Sequence, residues 1–415
     1  MRYLMDNFKN LDSIIRLLAI TFLIVLINVK IFGNLILLIL TLIGIYKIIS
    51  EKINPLTNKD LRLFTFLTLG YFFIMAMSIF LNVGFGEELR HLFRKLHFLL
   101  APLVAVALYK NSALNILHLL SPIKFALIII SIVIFTEFLF TGSKFPSGMI
   151  NSNVLADLLV VYLFLSLVGI FKEPPKKLAF TFLTFFIGTT ALLLTGSRGS
   201  ILTFGILFII FLLTSFRKFF LISNNRRSAI IFSLLFGIIL SNSIPFLKSN
   251  YEKTLSNITA WQIDHSSLSS SGMRLQIWDA SIKAHHNAPW YGYGYRLANK
   301  EVAKYSNEHK REIANFTHLH NEYLTNLLSA GYIGLAALFL IIFLPLSIFL
   351  IKRKEESVNL YAVAGIFLCL SYFFFGFTHI AFGEEHVNAF FIFMLGFLLP
   401  KVSSLSQNSK TESEF

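Results

Sequence analysis

A chain of 415 residues is long enough for two or three soluble domains, but 55% hydrophobic residues, 14% charged residues and a mean hydropathy of +0.70 exclude that arrangement and indicate a polytopic membrane protein. The net charge of +14 would suggest nucleic acid as a partner in a soluble chain; here most Lys and Arg fall in short gaps between apolar runs, where they set topology. The one cysteine, Cys369, lies within an apolar run and excludes both a disulfide framework and a thiolate metal site.

Arg2 and Lys9 precede the first apolar run and no small-residue cleavage site follows it, so this run is expected to stay as a membrane helix. Crossing a hydrocarbon core about 30 Å thick takes roughly 20 apolar residues. By that measure twelve spans are expected near 12–29, 32–49, 63–82, 97–109, 124–141, 154–171, 178–194, 200–219, 229–247, 322–350, 359–377 and 386–400. With the N-terminus inside, the gaps holding Lys52/Lys59/Arg62, Lys110/Lys124, Lys172/Lys176/Lys177, Arg217/Lys218/Arg226/Arg227 and Lys352/Arg353/Lys354 all face the cytoplasm, as the positive-inside rule asks. The chain then divides into residues 1–247 with nine spans, an outer region 248–321, three further spans in 322–400, and a polar tail 401–415 expected to be cytoplasmic and disordered. The expected fold is all-α, with about twelve membrane helices and one large helical region outside the membrane.

Three places on the outer side carry positive charge that topology disfavours: Arg90, Arg94 and Lys95 in "ELRHLFRKLH", Arg198 in "TGSRGS", and Arg274 in the outer region. Arg90 and Arg94 are four apart on one helical face, where they repel unless an anion sits between them or Glu87 and Glu88 neutralise them. Arg198 either snorkels to lipid phosphates or, with Gly196 and Gly199 allowing close backbone approach, meets a bound group.

The outer region holds all three tryptophans of the chain, Trp261, Trp278 and Trp290. "SGMRLQIWDASIKAHHNAPW" is predicted to be a helix capped by Ser271, with Arg274 in its first turn, Leu275, Trp278 and Ile282 on one face, and a stop at Asn287-Ala288-Pro289. "WYGYGY", Trp290 to Tyr295, reads as a tight turn whose rings serve either a sugar or the membrane interface. His285 and His286 are adjacent and point to different sides of a helix, against a shared metal; no His-Glu-x-x-His spacing occurs, and "TGSRGS" lacks the lysine and spacing of a P-loop.

What remains is a set of arginines and one histidine. Arginines suit an anion with several oxygens, above all a phosphate or diphosphate. His320 stands where a membrane helix begins, and the positive helix end keeps its ring neutral and able to accept a proton.

The segment "HNEYLTNLLSAGYIG" fits the pattern His-Asn, nine residues, Gly-x-x-Gly through His320, Asn321, Gly331 and Gly334, and so resembles the O-antigen ligase and O-antigen polymerase superfamily. Gly331 lies eleven residues after His320, about three helical turns, so both are expected on nearly one face, where small residues let a neighbouring helix pack closely. "TGSRGS" after a mid-chain span agrees, as does Arg274 followed by Trp278, Pro289 and the Gly292–Gly294 turn. The resemblance implies a GT-C-like membrane glycosyltransferase of the Gram-negative bacterial inner membrane, with its outer region and active site in the periplasm. It implies transfer of a glycan from undecaprenyl diphosphate to a sugar hydroxyl of lipid A core, without nucleic acid, cofactor or metal, by an enzyme that works as a monomer among membrane lipids. On this chain His320 is then the general base, Arg198 and Arg274 hold the diphosphate, and Arg90, Arg94, Lys95 and Asn321 bind substrate. A polymerase shares the donor and differs in acceptor; the short connection "TGSKFPSGMINSN" favours the ligase over it. A polysaccharide or lipid-linked sugar transporter, the alternative from another class, would be expected to place ionisable residues at mid-membrane depth and to show an internal repeat.

Overall fold

The computed structural model describes residues 2–82, 85–142, 150–221, 249, 252, 255–256, 259, 270–306, 309–316 and 318–413. Among them every element is helical: α1 (Arg2–Leu26), α2 (Lys30–Glu51), α3 (Lys59–Leu81), α4 (Phe85–Leu108), α5 (Ile116–Thr141), α6 (Ser152–Ser166), α7 (Pro175–Leu194), α8 (Arg198–Leu221), α9 (Ser270–His285), α10 (Tyr295–Lys304), α11 (Lys310–Asn315), α12 (Glu322–Lys352), α13 (Asn359–Phe375) and α14 (Glu385–Ser413). Nine of the described helices, α2 to α8, α12 and α14, are long and apolar enough to cross a membrane, and α13 is a shorter apolar helix. The protein is therefore an all-α, multi-pass membrane protein. Eleven of the twelve expected spans coincide with α1 to α8 and α12 to α14; the ninth, near 229–247, lies outside the described residues, as does Trp261.

Two boundaries move for a physical reason. α4 starts at Phe85, well before residue 97, because a charged stretch beside an apolar run can continue the same helix beyond the length a membrane needs. α14 runs through Pro400 to Ser413, so the expected disordered tail is a helical extension. The Lys352 ammonium donates to the Ser406 hydroxyl and ties that extension to the end of α12.

Asparagines start four of the helices. The side chains of Asn58, Asn115, Asn151 and Asn321 accept from backbone N–H groups in the first turns of α3, α5, α6 and α12, at 3.0 Å (Asp60), 3.0 Å (His118), 2.9 Å (Asn153) and 3.0 Å (Leu324). Free N–H donors at a helix start are costly near hydrocarbon, and an Asx cap satisfies them. The bundle closes around α6 and α14, which are buried along most of their length, whereas α8 is mostly half-buried. A helix that is apolar all round belongs inside, and α6 is one, broken by a single acid, Asp157.

Helices α9 to α11 form a second small core with Met273, Ile277, Ala280, Ala298, Val302 and Ile313, joined by Leu319 and Leu328. The buried face of α9 is thus Met273–Ile277–Ala280–Ala284, on nearly the opposite side of the helix from the predicted one. Ile282 is exposed, and Trp278 packs at the margin. The helix is already formed at Ser270, so Ser271 lies inside it and Arg274 stands beyond the first turn.

This outer layer docks on a break in α12. Ala330 (φ −129°, ψ 15°) and Gly331 (φ 67°, ψ −163°) leave the helical region, which frees carbonyls of the preceding turn. The Trp290–Gly294 turn takes them: Tyr293 N–H donates to Leu328 O at 2.7 Å and Gly294 N–H to Ser329 O at 3.0 Å. A Cβ on Gly331 would lie 1.7 Å from the Trp290 carbonyl oxygen, and one on Gly292 2.4 Å from the Ser329 carbonyl carbon. The small residues of the motif therefore admit a turn and not a neighbouring helix, and the break ends any common face between Gly331 and residues before it.

Candidate active site

The connections before α8, α12 and α14 meet at one end of the bundle, and with α4 and α9 they build the site. The α7–α8 hairpin is tight: Thr195 Oγ1 accepts from Ser197 N–H at 3.3 Å, Gly196 takes φ +66°, and Arg198 becomes the first residue of α8. Ser197 and Ser200 hydroxyls are 2.9 Å apart, and Ser200 donates to Asp157 Oδ1 of α6 at 2.7 Å. A Cβ on Gly199 would lie 2.1 Å from Thr378 Oγ1. That glycine brings the arginine-bearing turn against the protein's own 376–384 connection, where the sequence pointed to the approach of a bound group.

Arg274 reaches the same place from α9. One turn further along that helix, Trp278 Nε1–H donates to the Leu319 carbonyl at 3.2 Å, holding the His318–His320 segment beside the arginine. The ring centres of His318 and His320 are 4.3 Å apart, and Phe316 lies 5.3 Å from His320. His320 takes φ +52°, a left-handed conformation uncommon for a residue with a Cβ, immediately before the cap of α12.

The electrostatics follow from burial and from like charges. Burial, then the Arg274 guanidinium and His379, push the His320 pKa down to about 4. Burial, His320, His379, Arg274 and Arg94 together push His318 down to about 2. Burial and the neighbouring Arg198 lower the pKa of Arg274. Both histidines are therefore neutral near pH 7, and burial, ahead of the helix end, is the main cause.

Of the residues singled out in the sequence, the structure brings together Arg198, Arg274, His320 and, through its field on His318, Arg94. Lys95 does not join them. It is buried in α4, donating to the Phe382 carbonyl at 2.7 Å and the Tyr71 hydroxyl at 3.0 Å, which makes it a tie between helices and the 376–384 connection. Asn321 is also engaged internally: its oxygen caps α12 and its amide donates to Phe377 O at 3.2 Å. The Arg90 side chain lies outside the described residues.

Two groups escaped the sequence reading. His379, in the connection between α13 and α14, places Nδ1 2.8 Å from Asp157 Oδ2, and its ring centre lies 6.4 Å from that of His318. Glu322 accepts from Phe382 N–H at 2.9 Å and Asn326 Nδ2 at 2.7 Å, stitching the start of α12 to the connection that carries His379. A single acid in the otherwise apolar span 154–171 was the available signal for the first of these, since an ionisable group at membrane depth requires a partner.

Residues 183–339, a segment that contains Arg198, Arg274 and His320, match the family model described as O-antigen ligase. An uncharacterised protein of Haemophilus influenzae is 27% identical over 413 residues, 94% of this chain and 99% of that protein. A ComP-specific O-oligosaccharyltransferase of Acinetobacter baylyi is 25% identical over 290 residues, 67% of this chain and 47% of that protein, so the match spans about half of that relative's length. With the arginines and the histidine of the site all inside the matched segment, the chain is similar there to O-antigen ligases, and the comparisons support a multi-pass membrane enzyme of the glycosyltransferase type.

Proposed function

We propose that this enzyme transfers a glycan from undecaprenyl diphosphate to a sugar hydroxyl of lipid A core, at the periplasmic face of a Gram-negative inner membrane. The observation that carries this reading is the meeting of two arginines and a neutral histidine at one end of the bundle. Arg198 and Arg274 repel each other in a partly buried place, an arrangement that a bound diphosphate relieves. The neutral His320 is the general base. It takes the acceptor hydroxyl proton as the new glycosidic bond forms; the bond from the anomeric carbon to the diphosphate breaks, and its electron pair stays on the diphosphate oxygen facing the arginines. Displacement of this kind inverts the anomeric centre. The donor bond supplies the driving force, so no nucleotide enters the reaction.

Arg94 stands near enough to extend the anion-binding surface, and His318 is a neutral neighbour of the base. The relative named as an O-oligosaccharyltransferase supports a second reading, in which the donor is the same and the acceptor hydroxyl belongs to a protein. The lipopolysaccharide ladder and the glycoproteins of a deletion strain separate these possibilities. The proposed activity predicts bare core with glycan accumulating on undecaprenyl diphosphate. Core bearing a single repeat would identify a polymerase, donor trapped on the cytoplasmic side a transporter, and an unchanged ladder with loss of a glycoprotein the protein-acceptor reading.

A further inference from the structure

His379 and Asp157 come from segments far apart in sequence, yet they meet within the site. Asp157 is 2% exposed and His379 8%, and an acid buried in a membrane helix is held only where it is paired. Both carboxylate oxygens are engaged, Oδ2 by His379 Nδ1 and Oδ1 by the Ser200 hydroxyl two residues beyond Arg198. Gly199 against Thr378 adds a second bond of packing between the same two segments. The imidazole is thus locked to the arginine turn on one side, and its other nitrogen, Nε2, makes no hydrogen bond among the described residues. The same ring centre lies 6.4 Å from that of His318, and His379 acts on both His318 and His320 through its charge, so the pair belongs to the histidine cluster as well as to the helix contact.

We propose that His379, held by Asp157, is a further donor-binding residue: its protonated ring gives a charge-assisted hydrogen bond from Nε2 to the diphosphate oxygen that departs from the sugar. The proton stays on the imidazole, and the negative charge on that oxygen is shared between His379, Arg198 and Arg274 as the bond breaks. This inference rests on the diphosphate reading of the site.

The surroundings of the two reacting-side imidazoles support opposite roles. His320 faces Arg274 and is held neutral. Burial alone would push His379 the same way, but the hydrogen-bonded Asp157 of α6, then Glu384 of its own connection and Glu322 of α12, outweigh burial and raise its pKa. His318 and His320 face it from the segment before α12, with Arg274 beside them. A base and a cation side by side, separated by their environments, is the arrangement that acid–base partners require.

The test is binding of undecaprenyl diphosphate to the purified full-length protein in detergent between about pH 5.5 and 9. His379→Asn keeps a donor near the Nδ1 position and cannot carry charge. Its Kd relative to wild type, a ratio that cancels titration of the diphosphate itself, is expected to be about tenfold to a hundredfold at low pH and to approach one as wild-type His379 loses its proton. Asp157→Asn, which keeps a polar partner and removes the carboxylate charge, is expected to show the same trend. Arg274→Ala serves as the control for the underlying reading and should weaken binding across the range. Ratios of one at every pH for both pair variants, with Arg274→Ala still weakened, would overturn the role of His379 alone; unchanged binding in Arg274→Ala would overturn the diphosphate reading itself.

Discussion

At the end of the bundle away from the site, cations are matched with carboxylates: Lys124 with Glu173 at 2.5 Å, Lys352 with Glu355 at 2.7 Å and Lys47 with Glu51 at 3.9 Å. At the site end Arg274 meets Arg198 and two imidazoles. Both ends are rich in positive charge, and composition does not distinguish them. The difference lies in what the charge is for. A lysine beside its carboxylate is neutralised within the protein and holds helix ends together, whereas on the proposed reading the mutual repulsion of Arg274 and Arg198 serves to receive an anion.

The sharpest way to break this comparison is to remove charge at each end. His320→Ala is expected to slow transfer about 10²–10⁴-fold, and Arg274→Ala about 10²–10³-fold, with insertion and thermal midpoint near wild type. Turnover of purified protein with lipid-linked donor measures this; wild-type rates in either variant would remove the site from this end of the bundle. Lys124→Ala is expected to do the reverse, lowering stability by about 3 kcal/mol because Glu173 loses its cation and keeps only the Thr181 hydroxyl. Thermal unfolding in detergent reads that loss, and turnover per folded molecule should be unchanged.

Gly331→Ala tests the docking of the outer layer. Its positive φ and the 1.7 Å approach to the Trp290 carbonyl predict a loss of about 2–3 kcal/mol or failure to fold. Gly70→Ala, with open space around the added Cβ, should be neutral or stabilising by up to about 1 kcal/mol in the same measurement. Equal effects of the two would show that the break in α12 carries no load.

The smallest effect concerns pH. Because His320 is lowered to about 4, its basic form persists as pH falls through the ordinary histidine range near 6.5 and is lost only towards 4. The acid limb of kcat/KM assigned to this base should therefore lie near 4, and a limb near 6.5 that disappears in His320→Ala would contradict the buried environment.

Much of this was legible in the sequence because hydrophobic length is a direct consequence of membrane thickness, and eleven of the expected spans fall on described helices. Arg198, Arg274 and His320 stood out because topology left their polarity unexplained. Lys95 drew the same suspicion for the same reason, and only tertiary structure shows that Tyr71 and Phe382 occupy its ammonium. The His379–Asp157 pair was hidden because its halves lie 222 residues apart and neither has a local motif. The large apolar residues Leu275, Trp278 and Ile282 mark one face of α9, but the small and medium ones opposite them, Ile277, Ala280 and Ala284, are what packs against α10 and α11, and residue size alone does not reveal that. Gly331 was recognised as a place for close approach, but a periodicity argument assumes an unbroken helix and cannot reveal what approaches.

The break in α12 also bears on how such enzymes diversify. The outer layer is joined to the membrane part by backbone hydrogen bonds and by two glycines that admit each other's main chain, so it is not an interchangeable cap on a generic base. A chimera that exchanges residues 248–321 with those of a relative should assemble only if the partner sequence preserves the 290–294 turn in register with positions 328–331. Acceptor preference, if it resides in the outer layer, can then be recombined only between relatives that share this seam, whatever their similarity elsewhere.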